Sequence, residues 1–149
     1  MSILNELNEE QRAAASAIDG PVLILAGAGS GKTRTITYRI AHMVLEKGIS
    51  AGSILAVTFT NKAAKEMKER VMKIAGDEGG RIIVSTFHSF GVRMLRTYGD
   101  RIGLGTNFNI YDVADQKQIV SKIMKEMKME VKEAGRVHGK LSKLKEDGM

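Results

Sequence analysis

Residues 26–33 read Ala26-Gly27-Ala28-Gly29-Ser30-Gly31-Lys32-Thr33. Small residues at this density let backbone N–H groups curl around an anion without side chains intruding. The Lys32 amine can reach the β- and γ-phosphates of a nucleotide, and the Thr33 hydroxyl can ligate Mg²⁺. This chemistry needs an apolar strand before the loop and a helix after it, whose positive end points at the same anion. Residues 22–25, Val22-Leu23-Ile24-Leu25, supply the strand pattern. Residues 33–47 supply the helix, with Ile36, Ile40, Met43 and Val44 at helical spacing. Ala26 stands where the usual motif has its first glycine.

Two more polar and aromatic groups follow apolar runs. The run 54–57 leads into Thr58, Phe59, Thr60, Asn61 and Lys62, and the run 82–84 leads into Ser85, Thr86, Phe87, His88 and Ser89. In an open α/β sheet, ligands sit beyond the carboxyl ends of the strands. Phe59 there could stack on a base, but on composition alone a core ring beside an Asn helix cap is the better reading. His88 suits a base, a metal ligand, a phosphate contact or a hydrogen-bonded structural role. No pair among His42, His88 and His138 has zinc spacing. Gln11 offers both donor and acceptor, which fits an adenine edge. Taken alone, Gln11 reads as a surface helix residue.

The elements that must carry these groups alternate. A helix is expected over 8–18, strands over 22–25, 54–57 and 82–84, and helices over 33–47 and 61–75. Ala64, Met67, Val71 and Ile74 would form the inward face of the last, with Lys62, Lys65, Lys68 and Glu69 in water. A turn is expected over 76–80. Phe87, Phe90, Gly91, Met94, Leu95 and Tyr98 form a further helical stripe. This alternation predicts an α/β fold with a parallel sheet and flanking helices. After about residue 105 the pattern becomes helical and lysine-rich. One helix is expected over 113–129, with Ile119, Val120, Ile123, Met124 and Met127 inward, and another around Val137, Leu141 and Leu144.

The chain of 149 residues is 43% hydrophobic and 27% charged, with a net charge of +6. That charge permits nucleic-acid binding without requiring it. Residues 1–112 and 113–149 each contribute +3, so no basic tail is present. There is no cysteine, which excludes disulfides and thiolate metal sites. No apolar run approaches the ~20 residues of a membrane helix, and residues 1–6 do not read as a signal peptide. A cytoplasmic location with no membrane partner is the expectation.

Taken in order, residues 7–11 (Leu-Asn-Glu-Glu-Gln), 26–34 (through Arg34), 58–64 and 85–89 resemble the UvrD/Rep/PcrA group of superfamily 1 DNA helicases. All four motifs in this order are far more specific than any one alone, and the group's loop also carries Ala at the position of Ala26. The resemblance implies an ATP-dependent enzyme that translocates on single-stranded DNA and unwinds duplex, with ATP and Mg²⁺ as cofactors and a link to DNA repair. It implies that Gln11 reads adenine, that residues 26–33 hold the phosphates with Thr33 on Mg²⁺, and that Arg34 lies near the nucleotide. It implies that Thr58, Phe59, Asn61, Thr86, Phe87 and His88 line a single-strand groove, which favours DNA contact for Phe59. The fold implied is an incomplete RecA-like P-loop sheet. Residues 1–105 would belong to motor domain 1A, and residues 106–149 would open the helical subdomain 1B.

A Walker B Asp-Glu pair, a second motor domain and arginine fingers do not occur in this sequence. Asp112 ends the run Phe108-Asn109-Ile110-Tyr111 but lacks the adjacent Glu and fits the opening of 1B better. Hydrolysis needs that carboxylate and an Arg in trans. The expectation is therefore a monomeric N-terminal piece of a helicase, itself inactive, whose partners are single-stranded DNA, duplex junctions and the second motor domain. The alternatives are a self-contained P-loop kinase or NTPase, or a non-enzymatic nucleic-acid-binding module.

Overall fold

The computed structural model describes residues 2–148. Contacts divide the chain into two compact units, residues 1–99 and 100–149. The first holds α1 (Glu9–Ser16), α2 (Lys32–Leu45), β1 (Leu55–Thr58), α3 (Asn61–Arg81), β2 (Ile83–Thr86) and α4 (Phe87–Tyr98). A short 3-10 turn, Ile3–Glu6, precedes them. β1 and β2 pair in parallel, with Leu55 opposite Ile83 and Thr58 opposite Thr86, and α3 is the crossover between them. α2 packs on α3, and α1 packs on α2.

The core of this unit joins Ile40 and Ala41 of α2, Ile54, Ala56, Ile82, and Met67, Val71 and Ala75 of α3. Burial of such side chains is the main stabilising term, about 1.5–3 kcal/mol for each large one. Leu4, Leu7, Ala15 and Tyr38 form a smaller cluster beneath the N-terminal segment. The expected strands shift by one residue toward the carboxyl end. Ile54 and Ile82 lie just before them as buried core residues, and Ile54 O accepts from Ile83 N at 3.1 Å.

Residues 22–25 differ from expectation, because they form no strand. A strand exists through its ladder partner. Among the described residues β1 and β2 pair only with each other, and nothing pairs with this run. Leu23 and Leu25 are accordingly 82% and 86% exposed.

The expected turn at 76–80 is also different. α3 runs on to Arg81 and is broken only at Gly76, whose φ of 58° and ψ of −139° leave the helical region. Gly79 then lies against the preceding turn, where a Cβ would stand 3.0 Å from Val71 O and from Met72 Cα. Lys68 is not on the wet side. Its ammonium donates to Gly80 O at 2.6 Å and to Ile82 O, supplying the carbonyls at the helix end. Burial pushes its pKa below the usual lysine value. In α4 the apolar stripe is strong but none of its residues is buried.

The second unit contains α5 (Val113–Glu126) and α6 (Ala134–Glu146), packed on each other. Asp112 is the N-cap of α5, in a reciprocal box with Asp115. Of the expected inward residues Met124 is buried, whereas Ile123 is 48% and Met127 65% exposed. α5 stops at Glu126, and Lys128 takes a left-handed φ of 58°, so Met127 lies past the helix and turns out. His138 Nε2 lies 2.9 Å from Gln116 Oε1, tying α6 to α5. Among the described residues no helix is long and apolar enough to cross a membrane.

Candidate functional site

The glycine loop is shaped by backbone sign. Gly29 and Gly31 have φ of +78° and +83°, values that L side chains rarely adopt. Gly31 is the N-cap of α2 and contributes no side-chain bond to its first turn. The positive end of α2 therefore opens on Lys32 and Thr33, both exposed. The Lys32 ammonium donates back to Ala26 O at 3.0 Å and Gly27 O at 2.6 Å, so it spans the mouth of the loop. The Ser30 hydroxyl donates to Gly27 O at 2.8 Å.

Gln11 closes the other side. Asn8 and Gln11 form a capping box, with Gln11 N donating to Asn8 Oδ1 at 2.8 Å. The Gln11 side-chain amide donates to Ser30 O at 2.9 Å. A cavity of about 540 Å³ is lined by Gln11, residues 22–26, Ser30 and Lys32 among others. The structure thus brings Gln11, the loop and Lys32 to one hollow.

Arg34 points elsewhere. Its guanidinium sits 5.0 Å from the centroid of the Tyr38 ring and donates to Glu6 O at 3.0 Å. It also lies 3.7 Å from the Glu6 carboxylate, which accepts from the Tyr38 hydroxyl. That bond, before the burial of the phenol, raises the Tyr38 pKa against the lowering pull of Arg34, so the hydroxyl keeps its proton.

The two strand-end groups meet beyond β1 and β2. Thr58 and Thr86 are register partners, and the next residues, Phe59 and Phe87, stand with ring centroids 6.2 Å apart. Phe59 is 94% exposed, so it is not a core ring. Thr60, not Asn61, caps α3, accepting from Ala63 N at 3.1 Å. Thr58 donates to Thr60 O at 2.9 Å. Thr86 is buried and caps α4, with its hydroxyl between Ser89 N and Ser89 Oγ. Asn61 and His88 are exposed on the first turns of α3 and α4. Asn61 and Thr86 line a shared cleft of about 360 Å³ with Lys65, Lys68 and Ser89.

Reading by motif missed a third group. Glu46 Oε1 accepts from Ile3 N at 2.7 Å, while its Oε2 accepts from the Ser2 hydroxyl at 2.9 Å and lies 2.8 Å from His42 Nδ1. Arg39 donates to the carbonyls of Ala14 and Ala17, and Arg12 to those of Leu4 and Leu7. The spacing of Arg34, Tyr38, His42 and Glu46, four apart, puts them on one helix face. That regularity was the available clue.

A parallel strand–helix–strand unit, with a left-handed glycine-rich loop opening a neighbouring helix, defines a mixed α/β protein with a small two-stranded sheet. The chain belongs to the UvrD/REP helicase N-terminal domain family, whose profile matches residues 7–149. It is 53% identical over 124 residues to the ATP-dependent DNA helicase PcrA of Staphylococcus aureus, covering 83% of this chain and 17% of that protein. The PcrA of Bacillus subtilis is 52% identical over 130 residues, 87% of this chain and 18% of that protein. The chain therefore spans under one fifth of the length of the curated relatives it matches.

Proposed function

We propose that the chain is the nucleotide-binding N-terminal part of an ATP-dependent DNA helicase that moves along single-stranded DNA and separates duplex. The observation that carries this reading is the hollow shared by Gln11, the left-handed glycine loop and Lys32. Backbone N–H groups and a helix N-terminus favour a polyphosphate there. Lys32 would exchange its bonds to Ala26 O and Gly27 O for the β- and γ-phosphates.

The donor set suits Mg·ATP. Thr33 follows Lys32 in the first turn of α2, where its hydroxyl would ligate Mg²⁺ held mainly by phosphate oxygens. Among the described residues no cluster of His, Cys, Asp or Glu competes for that ion. Bound Mg·ATP supplies the phosphoanhydride whose cleavage drives the motor. Residues 26–33 bind and orient it, and Gln11 reads the base.

The single strand would lie across Phe59 and Phe87, with Asn61 and His88 toward phosphates. Thr58 and Thr86 would fix the two turns through their engaged hydroxyls. Hydrolysis requires a Walker B carboxylate and an Arg in trans, which belong to the remaining motor and the second motor domain in this reading. The test is ATP turnover by this chain with and without single-stranded DNA. Turnover should be negligible in both cases while Mg·ATP still binds. DNA-stimulated turnover that disappears in Lys32→Ala would show a self-contained NTPase instead.

A further inference from the structure

The contacts around Gln11 close a circuit. Gly31 opens α2, Arg34 lies one turn further and grips the Glu6 carbonyl, and five residues on Gln11 returns to Ser30. Between them Leu7 is buried and Asn8 caps α1. The Tyr38 hydroxyl holds the Glu6 carboxylate from the next turn of α2, and Tyr38 itself is buried. Gly31 and Gln11 are in close approach, since a Cβ on Gly31 would stand 2.7 Å from Gln11 Nε2. Gln11 has no slack against the loop, and Glu6, five residues before it, is held on α2 by Arg34 and Tyr38.

We infer that Glu6 is a positioning residue for base recognition: with Tyr38 and Arg34 it fixes the segment that presents Gln11 to the nucleotide. This rests on the nucleotide-binding reading above. Reading a base edge depends on hydrogen bonds at fixed geometry, and a site that loses them loses discrimination more than it loses affinity for the shared part of the ligand. Among the described residues Glu6 bonds to Arg34 and Tyr38 and to none of the glycine loop, so its effect passes through Gln11.

The experiment measures binding of Mg·ATP, Mg·GTP and inorganic tripolyphosphate to the unaltered chain, Glu6→Ala and Tyr38→Phe. Tyr38→Phe removes one hydroxyl and keeps the ring, so it reports even if Glu6→Ala folds poorly. The expected result is a fall of about tenfold in the preference for ATP over GTP in Glu6→Ala, a smaller fall in the same direction in Tyr38→Phe, and tripolyphosphate affinity held within about twofold. A merely structural role would lower all three affinities together. Unchanged preference in both variants overturns the positioning role and leaves nucleotide binding standing. No triphosphate binding by the unaltered chain overturns the nucleotide reading, and equal binding of ATP and GTP overturns base reading by Gln11. Either result removes the role of Glu6 as well.

Discussion

Phe59 and Phe87 meet at a centroid distance of 6.2 Å with their planes tilted by 53°, because each is the first residue after a register-paired threonine. Neither ring lies in the core, with Phe59 94% and Phe87 58% exposed. In the function proposed above, these two aromatic faces at a strand end would form a platform for unpaired bases. Base–aromatic stacking contributes about 1–3 kcal/mol per base. Phe59→Ala should therefore weaken single-strand binding by about 10- to 100-fold. Thermal unfolding should barely move, since a core ring would cost about 3–5 kcal/mol and this one is exposed. Fluorescence anisotropy and melting on the same variant check both halves.

Lys32→Ala should remove detectable Mg·ATP binding by calorimetry. Lys32 is exposed and its bonds are to loop carbonyls, so the variant should unfold within about 0.5 kcal/mol of the unaltered chain. Retained nucleotide affinity would place the phosphates elsewhere.

Gly31→Ala attacks the loop through its backbone. At φ of +83° an alanine is strained by about 1–2 kcal/mol, and its Cβ would collide with Gln11 Nε2. Urea unfolding should show that loss. The NMR signals of the Gln11 side-chain amide should shift as its bond to Ser30 O opens.

Glu46 supplies a pH dependence. Burial pushes its carboxyl up, but the bonds from Ile3 N, the Ser2 hydroxyl and His42 together outweigh it, and the pKa falls below the usual glutamate value. The unfolded chain thus binds the proton more readily than the folded one across this range. The stabilisation is present above the ordinary glutamate pKa of about 4.3 and is lost as pH falls through the folded value. Glu46→Gln should cost about 1–3 kcal/mol at pH 7. It should differ less from the unaltered chain near pH 3. A constant difference between the two pH values would remove Glu46 from the acid limb.

Elements with a strict period were legible in the sequence. Ala64, Met67 and Val71 are buried on α3 as their spacing required. The two paired strands were found to within a residue or two, because burial at Ile54 and Ile82 rather than hydrogen bonding set the apolar pattern. Residues 22–25 read as a strand for the same reason, yet a strand needs a neighbour as well as apolar residues. The break at Gly76 was visible as glycine, but the helix that resumes after it depends on Lys68 reaching two carbonyls from an earlier turn. The contacts of Glu6 with Tyr38 and of Glu46 with Ile3 were hidden because each joins residues more than thirty positions apart.

The unpaired run at residues 22–25 also bears on how this polypeptide behaves in concentrated solution. Leu23 and Leu25 present their apolar surface beside main-chain groups that no strand among the described residues engages. Unpaired main chain beside apolar side chains can template strand addition between neighbouring molecules, and the run carries no charge to oppose it. The run should therefore add a self-association surface that works against the +6 net charge. Light scattering against concentration should rise steeply for the unaltered chain and stay flat for Leu23→Lys; equal curves would locate the sticky surface elsewhere.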